Sequence, residues 1–221
     1  MKPIEQDIKS LKGHHAQMWE LVENQVKKAY FALDKNDKDV AKEVITREKM
    51  VNAQELVVDH HCEEFLALFN PVAVDLRFVI SLLKINNNLE RIGDFAESIA
   101  LFVSYQLQKP LDSILVKELH LKEMMDITTK MLEMARTALI KEDSSIANKV
   151  LSMDETVDRY NKAAIAVLAK FINQHPELAE EMLHLHAVIR RMERIGDRCK
   201  NIAEDVVFYT DAKELRHKAS Q

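Results

Sequence analysis

The sequence predicts an all-α protein made of two tandem, similar three-helix bundles with six long antiparallel helices. Only 3 glycines and 4 prolines occur in 221 residues. This is too few for the turns and phosphate loops of sandwiches, barrels, doubly wound sheets or P-loop domains. Apolar residues recur at spacings of three and four rather than two, which is the helical period. A five-residue segment, ERIGD, also occurs twice, and this indicates an internal repeat.

Polar clusters and prolines divide the chain into its predicted helices. The clusters at 34–38 and 141–145 contain turn residues that also cap helices well. Prolines fit only between helices or in a first turn, so Asn70 and Pro71 are predicted as the N-cap and first residue of the third helix. Short connections make neighbouring helices antiparallel. The predicted helices cover residues 4–33, 38–69, 71–108, 112–141, 144–174 and 176–212.

The repeat places three helices in each half of the chain. The segment at 90–94 recurs letter for letter at 193–197, and a weaker match relates residues 37–44 to 143–150. We therefore predict two domains, residues 1–110 and residues 111–221, with a boundary near Pro110.

Charge and hydropathy exclude several classes of protein. The formal net charge of -5 provides no basic surface for a nucleic-acid backbone. No apolar run approaches the roughly 18 to 20 residues of a membrane span, and the N-terminus lacks the apolar core of a signal peptide. We therefore expect a cytoplasmic protein. Cys62 and Cys199 have no CxxC partner and are predicted to be buried.

Carboxylates four residues apart are the candidate functional groups. Such pairs stack one helical turn apart, and in the third helix Glu90, Asp94 and Glu97 lie on the side opposite the apolar stripe. A solvated acidic stripe is one interpretation of this pattern. A cation site between neighbouring helices is the other, because carboxylates suit iron(III), manganese, magnesium or calcium. The pairs are Glu55/Asp59, Glu90/Asp94, Asp154/Asp158 and Glu193/Asp197.

The repeat register leaves the second helix ambiguous. An offset of 106 residues aligns Asp154 and Asp158 with Glu48 and Asn52, not with the Glu55/Asp59 pair. All four positions of the second helix fall on one helical line, so either pair or a mixture can contribute. Glu48 therefore joins the candidate metal ligands.

Two of the three glycines lie inside predicted helices. Gly93 and Gly196 each occupy the fourth position of ERIGD, where glycine costs about 1 kcal/mol relative to alanine. We expect that a neighbouring helix approaches closely at both positions. A direct ligand role is the alternative.

The segment PVAVDLR at 71–77, the doubled ERIGD and the three-helix repeat together resemble the PhoU family of phosphate-uptake regulators. The resemblance covers nearly the whole chain and implies two similar three-helix bundles in tandem. It also implies an adaptor, not an enzyme, that couples the ATPase subunit of a phosphate ABC transporter to a sensor histidine kinase. Such an adaptor negatively regulates phosphate uptake and the phosphate-starvation response when phosphate is plentiful.

The same resemblance implies metal binding. Some members of the family hold multinuclear clusters of iron or other metals through E(D)xxxD motifs, which the four acid pairs match. Iron is the expected metal, with manganese, magnesium, zinc or calcium as alternatives. A helical metalloprotein with a storage or metal-dependent role is therefore the second functional hypothesis. Outward-facing Phe102 and Phe208 suggest a homodimer, and membrane contact is expected only through partners.

Overall fold

The computed structural model describes residues 3–212, and every regular element in that range is a helix. The all-α prediction is confirmed. Residues 1–2 and 213–221, which the predicted domains include, lie outside the described residues. The α-helices are α1 (Pro3–Lys35), α2 (Lys38–Phe69), α3 (Ala73–Leu101), α4 (Ser113–Glu118), α5 (Leu121–Lys141), α6 (Ser144–Gln174) and α7 (Ala179–Asp211).

Aspartate caps begin two of the helices at the predicted polar clusters. The Asp37 side chain accepts hydrogen bonds from the backbone N–H groups of Asp39 and Val40, which begin α2. Asp143 accepts from the backbone N–H of Ser145 at 2.8 Å and begins α6. These bonds satisfy N–H groups that would otherwise lack a partner in the first turn.

The start of α3 differs from the prediction. Asn70 ends α2 in the left-handed region with φ of 44°, and α3 begins only at Ala73. Asparagine tolerates this conformation, and proline commonly follows a helix end, so Asn70 and Pro71 terminate α2 and do not begin α3. Two other ends also differ: α3 passes at Phe102 into a π-helical turn, and Pro176 begins a short 3-10 turn before α7.

The predicted helix over 112–141 is broken into α4 and α5. His120, between them, has φ of 52°, a left-handed conformation. Leu119 and Leu121 are each only 1% exposed, although residues two apart lie on different sides of a straight helix. The break lets both leucines reach the core. Neither glycine nor proline occurs at this break, so the sequence pattern did not predict it. Within residues 3–212 the chain therefore has seven α-helices, one more than the six predicted.

Helices α1, α2 and α3 pack as one bundle, and α5, α6 and α7 pack as a second one. The bundles meet through α1 against α5 and α3 against α7. Lys12 pairs with Glu142 near the start of α1, whereas Asp34 pairs with Lys122 near its end, so α1 and α5 are antiparallel.

The two helices that contain ERIGD, α3 and α7, are also antiparallel. The Ser81 hydroxyl donates to the backbone carbonyl of Asp205 at 3.3 Å, and Arg198 donates to the Asn88 side chain at 3.5 Å. These pairings place the two ERIGD segments at the same level on adjacent helices. The repeats are therefore related by an approximate two-fold axis between α3 and α7.

The burial of individual side chains tests several further predictions. Cys62 and Cys199 are both fully buried, as expected, and burial raises the pKa of the Cys62 thiol to about 12. Phe102 is also buried, which contradicts its predicted outward position. Phe208 is partly buried, with the Lys84 Nζ 5.0 Å from its ring centre. No helix within residues 3–212 is long and apolar enough to cross a membrane.

We expect the bundle interface to depend on a buried hydrogen bond between α1 and α5. The Thr128 hydroxyl donates to the Met124 carbonyl at 2.8 Å, so the Tyr30 hydroxyl donates to Thr128 Oγ1, also at 2.8 Å. In urea unfolding, Tyr30→Phe should lower the free energy of unfolding by about 1 kcal/mol. Thr128→Val should lower it by about 1–3 kcal/mol, because it leaves the Tyr30 hydroxyl without its acceptor. The double variant should cost clearly less than the sum of the two.

Thr137→Val is the matched control, because Thr137 makes the same bond to the carbonyl four residues earlier but lies on the outer side of α5. Its effect should be within about 0.5 kcal/mol. Additive effects of Tyr30→Phe and Thr128→Val would show that the two hydroxyls are not in contact.

Candidate functional site

Gly93 allows α2 and α3 to approach closely around a buried carboxylate. A Cβ atom at Gly93 would lie 3.0 Å from Val51 Cγ1 and 3.2 Å from Glu48 Oε1. Glu48 is only 4% exposed, and its Oε2 accepts a hydrogen bond from Gln25 Nε2 at 3.1 Å. Its Oε1 has no hydrogen-bond partner among residues 3–212. The carboxylate therefore lies against the bare backbone of Gly93.

The second repeat builds the same arrangement around Gly196. A Cβ atom there would lie 3.4 Å from Asp154 Oδ1, and Asp154 is likewise only 4% exposed. Its Oδ2 accepts from Lys200 Nζ at 3.1 Å, whereas Oδ1 meets no hydrogen-bond partner in the described part of the chain. The predicted close approach is thus present at Gly93, whereas at Gly196 the neighbouring helix lies at an ordinary contact distance. In both repeats the group that approaches is an acid of the preceding helix.

Half-buried acids of α2 and α3 extend the first site. Asn86, which is fully buried, donates from Nδ2 to Asp59 Oδ1 at 2.8 Å and to the Glu55 carbonyl at 3.0 Å. Arg91 lies 3.4 Å from Glu90 Oε2 and donates to Asp94 Oδ2 at 2.9 Å. One face of α2 and α3 therefore carries what we call the N-terminal carboxylate cluster: Glu48, Glu55, Asp59, Glu90, Asp94 and Glu97.

The pKa values show that these acids act on one another. Burial raises the pKa of Glu48 to about 7, and the negative charges of Glu97, Asp94 and Glu90 add to the effect. The pKa values of Glu55, Glu90 and Glu97 are raised as well, first by burial and then by neighbouring carboxylates. Like charges close together favour the protonated form, or a bound cation, over full ionisation.

The acids of the second repeat form the C-terminal carboxylate cluster, which contains Asp154, Asp158, Glu193 and Asp197. Burial raises the pKa of Glu193 and of Asp197, and the other acids of the cluster raise both further. Lys200 and Arg198 lower the pKa of Asp197, so this cluster contains its own counter-charge. All four acids were predicted from their spacing.

The structure clarifies the register of α2. Glu48 occupies the position that Asp154 occupies in the second repeat, each facing its glycine. Asn52, the counterpart of Asp158, is exposed. Glu55 and Asp59 continue the cluster further along α2, so both predicted pairs contribute to it, apart from Asn52. Glu90, Asp94 and Glu97, for which a solvated stripe was one interpretation, are half-buried. Glu48 and Asp154 are buried by a neighbouring helix, which the spacing within one helix does not reveal.

Gln25 and Lys200 were not predicted as site residues. Lys200 stands 103 positions after Glu97, the offset that relates the two ERIGD segments. The repeats therefore place an acid and a lysine at equivalent positions. An alignment of the two repeats could therefore have identified Lys200 as a site residue. No feature of the sequence indicates the Gln25 contact, because it depends on how α1 packs on α2.

The carboxylate oxygens of these clusters suit a hard cation, but within residues 3–212 they are not arranged to surround one. Buried carboxylate oxygens without partners, as on Glu48 and Asp154, are typical ligands for such ions. Within residues 3–212, no group of three or more His, Cys, Asp or Glu side chains is arranged to hold a metal ion. A bound cation would require half-exposed acids such as Asp94 to turn toward it.

Comparison with known proteins identifies both repeats. Residues 16–103 and 121–206 each match the model of the PhoU domain. The chain is 32% identical over 214 residues to the phosphate-specific transport system accessory protein PhoU homolog of Pseudomonas aeruginosa, with 96% of this chain and 86% of that protein covered. It is 30% identical over 211 residues to the accessory protein PhoU of Escherichia coli K12, with the same coverage of both.

Solved structures agree with these matches. The fold is similar to the crystal structure of PhoU from Pseudomonas aeruginosa, with a TM-score of 0.87, 30% identity, and coverage of 95% of this chain and 99% of that one. It is also similar to the phosphate transport system regulatory protein PhoU from Streptococcus pneumoniae, with a TM-score of 0.82 and 26% identity over 95% and 98% of the two chains.

We expect Glu48→Gln to stabilise the protein in a pH-dependent way. Since the folded-state pKa of about 7 lies above the unfolded value, the stabilising contribution of the Glu48 carboxyl is complete below about pH 4 and is lost as the pH rises through 7. Glutamine keeps the acceptor for Gln25 without the charge. The free energy of unfolding of the variant should therefore exceed that of the wild type by on the order of 2 kcal/mol at pH 8, and by little near pH 4.

Urea unfolding at several pH values measures this difference. Glu43→Gln is the control on the same helix, because the ion pair with Lys28 lowers the pKa of Glu43 and its effect should have the opposite sign. A Glu48→Gln difference that does not change with pH would contradict the burial of an ionisable carboxyl at Gly93.

The two ERIGD glycines should respond differently to alanine. Gly196→Ala gains up to about 1 kcal/mol of helix propensity, since its new Cβ makes only ordinary contacts. Gly93→Ala places its Cβ against Val51 and Glu48, so we expect a net loss on the order of 1 kcal/mol. Urea unfolding at neutral pH checks the pair, and equal effects of the same sign would contradict the closer packing at Gly93.

Proposed function

The chain belongs to the PhoU family, and from this premise we propose that it is a regulatory accessory protein of phosphate-specific transport and not an enzyme. One observation carries the proposal: both repeats, and nearly the full length of the chain, match proteins named as accessory to that transport system. A regulator that works by contact needs an exposed docking surface.

In finer terms, we propose that the protein couples the ATPase subunit of a phosphate ABC transporter to a sensor histidine kinase. It would thereby lower phosphate uptake and the phosphate-starvation response when phosphate is plentiful. It would act in the cytoplasm as a homodimer and reach the membrane only through these partners. The dimer is tested by light scattering on the purified chain, and a monomer at all concentrations would contradict it.

The connection between α2 and α3 supports a docking role. Large apolar side chains are exposed on both sides of it, at Leu68, Val72, Val74 and Leu76. Exposed apolar groups gathered in one place are typical of protein interaction sites. This corner also contains the PVAVDLR segment. We infer that it docks the transporter ATPase.

We expect Val72→Asp/Val74→Asp to abolish capture of the transporter ATPase subunit from membranes, because each aspartate would place a charge in the apolar contact. Pull-downs in high and low phosphate, probed for the ATPase and for the kinase, measure this. Ile165→Asp is the control, since the exposure of Ile165 lies between those of Val72 and Val74 but the residue is on α6.

Capture of the ATPase by the double variant at the wild-type level would remove this corner as the docking site. Failure of the wild type to capture either partner in both phosphate conditions would overturn the adaptor function itself.

Cation binding by the carboxylate clusters is the second candidate function. The unpartnered oxygens of Glu48 and Asp154, and the mutual effect of the acids on their pKa values, favour it. The candidate ligands are the nine acids predicted from the sequence, with iron as the expected ion and manganese, magnesium, zinc or calcium as alternatives. The ion would neutralise charge and hold α2 against α3, or α6 against α7. The N-terminal cluster should bind more tightly, because Lys200 already neutralises Asp154 in the other.

Exchanging the charges at the equivalent positions 97 and 200 should exchange the Mn²⁺ affinities of the two clusters. With Mn²⁺ titrated into metal-free protein by calorimetry, Lys200→Glu should strengthen binding to the C-terminal cluster roughly tenfold, and Glu97→Lys should weaken binding to the N-terminal cluster similarly. Lys117→Glu makes the same charge change on α4 and should alter neither. Unchanged Mn²⁺ affinity in both variants would remove the clusters as cation sites.

A further inference from the structure

Two histidine rings meet at the contact between α1 and α2. The centres of the His14 and His61 rings are 4.3 Å apart, with an angle of 20° between the ring planes. Gln54 Nε2 donates to the His14 backbone carbonyl at 2.9 Å, so the two helices are also joined by a hydrogen bond at this level. Asp59, two residues before His61, accepts from Asn86 of α3 instead. The histidine pair therefore lies on the α1 side of α2, whereas the N-terminal carboxylate cluster lies on its α3 side.

A hydrogen bond fixes the orientation of the His61 ring. Its Nδ1 lies 2.8 Å from the Val57 backbone carbonyl, one turn earlier on α2. A carbonyl oxygen can only accept, so Nδ1 carries a proton and, in the neutral ring, Nε2 keeps its lone pair. Histidines that bind metals nearly always use one ring nitrogen in this way and place the other on the ion. His61 Nε2 is therefore oriented as a metal ligand.

Solvent reaches both rings. His14 and His61 are half-buried, and among the described residues no ring nitrogen of either is a buried atom without a hydrogen-bond partner. Gly13 precedes His14, and a Cβ atom there would meet no other atom within 4 Å, so α1 is open beside the pair. An ion can therefore approach the free ring nitrogens from solvent.

The separation of the rings suits a single ion held by both. Two imidazole nitrogens bound to one ion at about 2.1 Å would place the ring centres about 4.5 Å apart at a right angle, and about 5.2 Å apart at the tetrahedral angle. The observed 4.3 Å is close to the right-angle value. Square-planar and tetragonal coordination, which Cu²⁺ and Ni²⁺ favour, provides right angles. The terminal torsion of histidine is soft, so His14 can turn a nitrogen toward the same ion.

The neighbouring histidine of α2 is engaged elsewhere. His60 Nε2 lies 3.1 Å from Glu64 Oε1, and the centre of its ring is 6.4 Å from that of His61. No third His, Cys, Asp or Glu side chain in the range 3–212 joins the pair to form a larger metal site. The pair therefore provides two ligands and leaves the remaining positions of an ion to water.

We propose that His14 and His61 bind a divalent transition-metal ion of the Ni²⁺ or Cu²⁺ class, which cross-links α1 and α2. Imidazole nitrogens suit such ions, whereas carboxylate oxygens suit Mg²⁺, Ca²⁺ and Mn²⁺. Because the ion joins two helices of the first repeat, its binding stabilises that bundle. The proposal depends neither on the regulatory function nor on cation binding by the carboxylate clusters.

Ni²⁺ titrated into the metal-free full chain tests the site, with the ring protons of the histidines observed by NMR. Ni²⁺ is paramagnetic and broadens the signals of the rings that hold it. Excess Mg²⁺ is present throughout and competes for the carboxylates. We expect the His14 and His61 signals to broaden saturably, at Ni²⁺ concentrations that leave His175 and His184 of the second repeat sharp.

Three single variants assign the ligands by calorimetry in the same buffer. His14→Gln and His61→Gln should each weaken Ni²⁺ binding roughly tenfold or more, since each removes one of two ligands. His60→Gln is the matched control, because it removes the neighbouring histidine of α2 and should leave the affinity unchanged. Ni²⁺ should raise the thermal midpoint of the wild type and of His60→Gln, but not of the other two, and circular dichroism confirms that all three are folded.

Several results would overturn the proposal. Unchanged Ni²⁺ affinity in either His14→Gln or His61→Gln would remove that residue as a ligand and with it the two-histidine site. A loss in His60→Gln as large as in His61→Gln would assign the ion to α2 alone. Broadening of the His175 and His184 signals at the same Ni²⁺ concentrations would show only non-specific binding to exposed imidazoles.

Discussion

The missing Cβ atom of Gly93 is the constraint on which the packing of α2 against α3 depends. Without a side chain there, Glu48 packs directly against the backbone of α3, and in the second repeat Asp154 takes the equivalent place beside Gly196 at an ordinary contact distance. Water cannot then solvate Glu48 or Asp154, and the neighbouring acids lie close enough to raise one another's pKa values. Glycine inside a helix costs about 1 kcal/mol relative to alanine, and here it makes room for a cluster of carboxylates rather than providing flexibility.

The two repeats share this frame but differ in charge. Where the first repeat has Glu97, the second has Lys200, and where the first has Asn52, the second has Asp158. Lys200 neutralises Asp154 within the protein, whereas the N-terminal cluster holds its excess negative charge against the neighbouring Arg91. The duplicated helical frame therefore carries two carboxylate clusters that differ in charge.

The sequence predicted those features that depend on one helix or on the repeat itself. Aspartates at 37 and 143 identified helix starts, and the doubled ERIGD identified the two bundles. The break at His120 could not be predicted, because it results from the burial of leucines on both sides of it. The burial of Glu48 could not be predicted either, since it depends on how neighbouring helices pack. Equally, the polarity of Asn70 is compatible with a helix start or a helix end, and its left-handed backbone decides for the end.

The ionisation of the Glu48 side chain tests this packing most directly. NMR titration of the carboxyl carbons, with Glu43 of the same helix as the internal reference, measures both groups in one sample. A midpoint near 7 for Glu48 is expected, with Glu43 below its ordinary range because of Lys28. A Glu48 midpoint at the unperturbed value, about 4.3, would contradict a carboxylate buried against the backbone of Gly93.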